Sequence, residues 1–269
     1  MQKQKHSLAS KLLLGLTVLF FYLPIIYIVV FSFNDSRSLT HFSGFSLQWY
    51  EKMFSDRTMM EAVGYTIFVA VVATVVSTIV GTLAAIGLSR SRKLLRNVVE
   101  QVNNLPVMNP EIVTGISMML LFTFIYQTTG LLQRGYATLL ISHITFCIPY
   151  VVLQVMPKLR QLNPAHYEAA LDLGAKPGYA LRKIVLPQIL PGIVTGFIFA
   201  FTLSIDDFVV SYFTSQDVSN LSMTIYSMAR RGLSPKINAL STIMFVSVMI
   251  LLVIINVRSS RQNRKEKKT

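Results

Sequence analysis

Residues 157–187 read PKLRQLNPAHYEAALDLGAKPGYALRKIVLP, and an apolar run flanks them on each side, 137–156 and 188–213. Lys158, Arg160, Lys176, Arg182 and Lys183 lie inside the stretch, while the flanking runs carry no lysine or arginine. Each flank has the roughly 20 apolar residues that a helix needs to cross about 30 Å of hydrocarbon. The chain therefore crosses a membrane, turns through a basic loop and crosses back. The loop has structure of its own. Asn163-Pro164 starts a helix, with Asn163 as cap and Pro164 at the first helical position. Residues 165–173 continue it, leaving Tyr167, Ala170, Leu171 and Leu173 for contact. Gly174 ends it where the chain turns left-handed, and Pro177-Gly178 completes the turn. A second helical stretch, Tyr179 to Val185, leads through Leu186-Pro187 into the next span. Such a helix-turn-helix offers a handle to a partner.

Outward from this loop the same alternation repeats. Of 269 residues, 52% are hydrophobic and 14% charged, where soluble domains carry about 25% charged residues. This excludes a disordered chain and leaves too little charge to cover a soluble enzyme. Six spans are expected, at 12–33, 62–88, 110–126, 137–156, 188–213 and 237–257. Lys3, Lys5 and Lys11 precede the first, which is too long for a signal peptide's apolar core and lacks a small-residue cleavage site. Lysine and arginine set the orientation. Eighteen of the 25 lie in the N-terminal segment, the loops 89–109 and 157–187, and the tail from Arg258; seven lie in the loops 34–61, 127–136 and 214–236. Both termini are thus expected on the cytoplasmic side. The net charge of +13 serves membrane anchoring, including the tail residues Arg258, Arg261, Arg264, Lys265, Lys267 and Lys268, and nucleic acid is not an expected partner.

The spans show packing features but no catalytic pair. Ala73, Ser77, Gly81 and Ala85 recur every four residues, as do Gly192 and Gly196, which lets another backbone approach closely. No nucleotide-binding P-loop, His-Glu-x-x-His or Gly-x-Ser-x-Gly occurs. Cys147 is the single cysteine, so neither an internal disulfide nor a cysteine-based zinc site is available. His143 and Cys147, one turn apart, are expected to form a packed polar pair. Glu111 follows Asn109-Pro110, a helix start with Asn109 as cap, Pro110 at the first position and the acid near the positive end of the dipole, a reading preferred to substrate binding by Glu111. A chain of this kind is a channel, a secondary carrier or one part of a larger pump.

The basic loop matches the pattern EAA-x3-G-x9-I-x-LP at Glu168, Ala169, Ala170, Gly174, Ile184, Leu186 and Pro187. That pattern resembles the signature of permease subunits of bacterial ABC importers. The resemblance implies an all-α fold, a single permease domain over 1–269, no catalysis by this chain, and those seven residues as the contact with an ATPase. It implies four partners: a pair of ATPases that bind ATP and magnesium, a second permease subunit, an extracytoplasmic solute-binding protein, and the lipid of a bacterial cell membrane. This chain itself would hold no cofactor and no metal. Within the family, Phe45-Ser46-Leu47-Gln48-Trp49-Tyr50, Leu105-Pro106-x3-Pro110-Glu111-Ile112 and Ser204-Ile205-Asp206-Asp207-Phe208 resemble the spermidine/putrescine (PotC-type) permeases. Permeases for iron complexes, thiamine or phosphonate share versions of these stretches.

Asp206 and Asp207 sit in the fifth span, roughly 27–28 Å from its start if that helix runs straight at about 1.5 Å per residue. Acids in a span usually face a bundle interior or an aqueous path. A polycation's passage should present acids, and neighbouring residues point about 100° apart, so one of the pair is expected to line the path. The other reading is that they cap a helix end.

Overall fold

The computed structural model describes residues 8–216, 218–232 and 234–266. Lys3, Lys5, Lys267 and Lys268 lie outside the described residues, as do the side chains of Arg258, Arg261, Arg264 and Lys265. In chain order the helices are α1 (Leu8–Phe31), α2 (Gln48–Phe54), α3 (Arg57–Ser89), α4 (Lys93–Met108), α5 (Glu111–Thr129), α6 (Tyr136–Gln161), α7 (Pro164–Asp172), α8 (Pro177–Ala180), α9 (Leu186–Asp206), α10 (Val209–Thr214), α11 (Leu221–Arg231) and α12 (Pro235–Glu266). A π turn, Leu181–Val185, joins α8 to α9. No strand occurs among the described residues; one isolated antiparallel bridge pairs Asn34 with Phe45. The fold is all-α, as the apolar runs require.

Five stretches are long and apolar enough to cross a bilayer: Ser10–Phe31, Arg57–Ser89, Glu111–Thr129, Tyr136–Gln161 and Pro177–Asp206. The expected sixth span, 237–257, falls within α12, which is apolar over Pro235–Ile250 among the described residues. Within what the sequence presents as a single domain over 1–269, the chain packs as two compact units. One comprises the described residues of Met1–Met60 and Ile225–Thr269; the other is Glu61–Thr224.

In the first unit α1 and α2 both pack on α12. The connection from α1 to α2 folds around Asn34, which is fully buried. Its amide donates to the carbonyl oxygens of Ser38 and His41 at 2.9 Å, and its Oδ1 accepts from the Ser43 N–H at 2.8 Å. The Asn34 carbonyl accepts from the buried Trp49 indole at 2.7 Å, tying α2 to the end of α1. Before α3, Asp56 meets Lys236 at 3.0 Å. The Lys236 hydrogen bond holds the Asp56 carboxyl below its usual range against the opposing effect of burial.

The second unit is built around α6. Val151, fully buried, receives a glycine from each side. A Cβ on Gly81 of α3 would lie 2.8 Å from the Val151 Cβ, and one on Gly196 of α9 would lie 3.4 Å from its Cα. A Cβ on Gly192 would lie 2.9 Å from the Gln154 carbonyl oxygen and 2.8 Å from Lys158 Cγ. At Gly81 and Gly192 the helices therefore sit on α6 at distances that no larger side chain permits, while Gly196 makes an ordinary close contact. Phe146, Val152, Val155, Val185 and Ile189 fill the apolar core around this seam.

Four expectations are corrected here. The loop 89–109 contains α4, an amphipathic helix turned inside out. Its polar side faces α6, where Glu100 pairs with Arg160 and the Asn103 amide donates to the Pro149 carbonyl at 3.3 Å. Leu94, Val98, Val102, Leu105 and Met108 stand exposed on the other side. Asn109 ends α4 in extended conformation instead of capping α5; Pro110 takes the cap position, and Glu111 is the first helical residue. Pro177 starts a helix instead of completing a turn, because its fixed φ suits the first helical position. That helix runs through the π turn into the fifth span. Finally, the fifth span does not continue to 213. It stops at Asp206, Asp207 is extended with φ −60° and ψ 122°, and α10 starts anew.

Candidate functional site

Two places carry the residues of interest, both within Glu61–Thr224. The first is the loop after α6. Asn163 Oδ1 accepts from the Ala165 N–H at 3.0 Å and so caps α7, with Pro164 at its first position. At the other end Gly174 has φ +83°. Its N–H donates to the Leu171 carbonyl and the Ala175 N–H to the Ala170 carbonyl, at 2.9 and 3.0 Å. These two bonds close the helix as a Schellman motif, which needs the left-handed residue that glycine supplies most cheaply. The helix is thus fixed at both ends by its own sequence.

The residues of the loop pattern have divided tasks. Glu168 and Ala169 are exposed, and Ala170 is half-buried. Ile184 lines a cavity of about 420 Å³ under α7, with Arg90, Leu159, Tyr167 and Gln188 among its walls. Tyr167 turns inward, and the Arg90 guanidinium stacks over its ring at 4.4 Å. Leu173 turns outward and is 89% exposed. Of the four residues expected to make contacts, Tyr167 turns inward and Ala170 and Leu171 are half-buried, while Leu173 and Ala169 form the free face, with Glu168 exposed at the rim of the cavity. Leu186 and Pro187 are exposed just after the π turn, where the Leu186 N–H donates to the Leu181 carbonyl. In a regular α-helix the Pro187 ring would meet the Lys183 carbonyl and leave it without a donor. The wider π turn accommodates that. The sequence pattern marked Pro187 but gave no signal of the π turn or of Arg90.

The second place is the break at the end of α9. Asp207 is 6% exposed. Its Oδ1 accepts from the Val210 N–H at 3.2 Å, and its Oδ2 from the Ser211 N–H and hydroxyl at 2.8 and 2.7 Å. The carboxylate caps α10 at its positive end, where an anion is stabilised. Asp206, one residue earlier, is exposed. No other residue's side chain bonds its carboxylate among the described residues. The pair is therefore split: Asp207 is structural, and Asp206 is free. Glu111, in the first turn of α5, is exposed. The sequence favours a helix start for Glu111 over substrate binding, and the structure places it there.

His143 and Cys147 are buried but do not pair with one another. The Cys147 thiol donates to the Ala200 carbonyl at 3.5 Å. His143 lies between Ser204 of α9, at 2.7 Å, and Ser211 of α10, at 2.9 Å. One turn apart on α6, both face the same neighbours, so each finds its partner there. Among the described residues no three potential metal ligands converge.

Comparison with known proteins follows from these features. Residues 77–265 match the family described as binding-protein-dependent transport system inner membrane component. The chain is 38% identical to the putrescine transport system permease protein PotI of Escherichia coli K12, over 89% of this chain and 86% of that protein. It is 38% identical to the spermidine/putrescine transport system permease protein PotC of Haemophilus influenzae, over 91% and 93%. Among solved structures, it resembles a bacterial ABC transporter that imports alginate, with TM-score 0.71, 17% identity, and coverage of 92% of this chain and 94% of that one. The methionine transporter MetNI gives TM-score 0.63 at 19% identity over 78% and 97%. These two likenesses carry the fold alone.

Proposed function

This chain belongs to the family of binding-protein-dependent transport system inner membrane components, and from that premise we propose that it is the permease subunit of an ATP-driven importer of polyamines. It is a membrane protein, and its part in the machine is to conduct, not to hydrolyse. A pair of ATPases supplies the energy and binds ATP with magnesium. A second permease subunit, similar to PotB, completes the pathway, and an external solute-binding protein delivers the substrate. The two termini and the basic loops lie on the cytoplasmic side, with six spans in the bilayer.

The observation that carries the coupling role is the free face of α7. Glu168, Ala169 and Leu173 project from a helix locked at both ends, so a displacement of the face moves the helix as a body. Through Tyr167, Ile184 and the π turn that displacement reaches α9. Two states of the ATPase pair, open and nucleotide-closed, then bias two states of the bundle. The polyamine reading rests on the names of the relatives and on chemistry. Exposed Asp206 and Glu111 offer negative charge at a helix break, where a multiply charged cation exchanges part of its hydration for carboxylates.

The test is ATP hydrolysis and uptake by the reconstituted complex, with its binding protein loaded from a panel of solutes. Spermidine or putrescine stimulates both; a ferric complex, thiamine or a phosphonate does not. Asp206→Asn is isosteric and lowers polyamine uptake while the complex still assembles. Stimulation by a non-polyamine alone would reassign the substrate, and full uptake by Asp206→Asn would remove this acid from the path.

A further inference from the structure

The break between α9 and α10 is held from outside by α6. Buried polar groups need partners, and here hydrogen-bond accounting fixes how they are met. Ser211 has one hydroxyl proton, and Asp207 Oδ2 takes it at 2.7 Å. The Asn220 amide donates to the same Ser211 oxygen at 2.7 Å and to the Asp207 carbonyl at 3.1 Å. Ser211 Oγ has no second proton to give, so at 2.9 Å it accepts from His143 Nε2–H. His143 Nδ1 lies 2.7 Å from the Ser204 hydroxyl, which can give its proton to the ring or accept one from it. The imidazole bridges the last turn of α9 to the first turn of α10, and its Nε2 also lies 3.5 Å from Asp207 Oδ2. Asn220 closes the far side, its Oδ1 accepting from the Met223 N–H at 2.9 Å. Four side chains from separate parts of the chain are satisfied together: His143, Ser204, Ser211 and Asn220.

We propose that His143 is a positioning residue for transport: it sets the geometry of the α9–α10 break and thereby keeps the Asp206 side chain turned out of the core. Three features carry this. The imidazole touches both sides of the break. The backbone between them, Ile205 to Val210, includes the extended residue Asp207, which no continuous helix would allow. Asp206 sits on that same segment and is exposed, while its neighbour is buried. Without the bridge, Ser204 is released to bond within its own helix, as Thr202 does with the Ile198 carbonyl at 2.9 Å. Nothing then ties the last turn of α9 to α10, and the carboxylate at 206 loses its fixed direction. The role of Asp206 in the polyamine path belongs to the function proposed above; the positional role of His143 is tested separately from it.

The experiment uses the assembled complex with Cys147→Ser and the reporter Asp206→Cys, and measures the rate of modification by a positively charged thiosulfonate. His143→Leu keeps the bulk and removes both bonds, and it lowers the rate at 206 by about ten- to a hundredfold, the scale of two lost buried hydrogen bonds. His143→Gln retains a donor for Ser211 and restores most of that rate. A control cysteine at Thr40 reacts equally in all variants. If His143→Leu fails to assemble, Ser204→Ala removes one bond only and should lower the rate in the same direction. In the chain with Asp206 intact, His143→Leu lowers maximal polyamine uptake and leaves the half-saturating concentration of loaded binding protein unchanged. An unchanged rate at 206 in His143→Leu or Ser204→Ala overturns the proposal, as does a reporter already unreactive beside intact His143. If the parent complex transports no polyamine yet the rates fall as stated, the substrate assignment fails and the role of His143 stands.

Discussion

Single glycines decide how close the helices of the second unit come. Gly192 and Gly87 are both helical glycines, and alanine has the higher helix propensity by about 1 kcal/mol. At Gly87 a Cβ meets nothing within 4 Å, so Gly87→Ala should be neutral or stabilising. At Gly192 a Cβ would lie 2.9 Å from a backbone oxygen of α6, and that atom cannot move without the helix. Gly192→Ala should cost about 1–3 kcal/mol by overpacking, read as a lowered midpoint of thermal unfolding in detergent. Equal midpoints for the two variants would show that α6 and α9 are not seated by this contact. The four-residue recurrence of small side chains was legible in the sequence. Which helix it meets was not, because periodicity marks a face and not its partner.

At the scale of elements, the link between α7 and α9 is a helix with one irregularity. The π turn Leu181–Val185 exists where Pro187 denies the Lys183 carbonyl its usual donor. Pro187→Ala supplies that donor and lets the segment close as a regular α-helix. Removing the extra residue of a π turn rotates what precedes it by about 100° relative to α9, which turns the face of α7 away from its partner. We expect uptake to fall while thermal stability holds or rises, by up to about 3 kcal/mol if the proline was fully unfavourable. Undiminished uptake would mean that the π turn does not set the direction of the coupling helix. A helix-turn-helix was readable here from Asn163, Pro164 and Gly174, since each acts on backbone groups within five residues. The continuity of α8 with the fifth span was hidden, because Pro177-Gly178 has the composition of a turn as well as of a helix start.

For the whole molecule, charge along the chain fixes a direction in the membrane. Eighteen of its 25 lysines and arginines fall in alternate segments that include both ends, and the excess of positive charge is the expectation for cytoplasmic segments. Cysteines placed at Thr40 and Gln216, both exposed, in a Cys147→Ser background should react from outside with an impermeant reagent. One at position 260 should react only after permeabilisation. Reaction at 260 from outside would invert the orientation, and with it the assignment of α7 to the ATPase side.

The sequence by itself determined the all-α membrane class, five of the spans, the capped helix after the fourth of them and the family. Each of these is written in short-range terms: the length of an apolar run, a cap and its helix, a glycine at a left-handed turn. Tertiary structure decided the rest. The break of α9 at Asp207 is met by partners far off in the chain, Asn220 and His143 of another helix. Whether α4 shows its polar or apolar side depends on Arg160 and on the Pro149 carbonyl of α6. Asp206 and Asp207 are alike in sequence, and they differ because one carboxylate finds the free N–H groups of α10 while its neighbour points out of the core. A hydrogen bond of about 3 Å between helices leaves no period and no run in the chain, so it is visible only once the helices have packed.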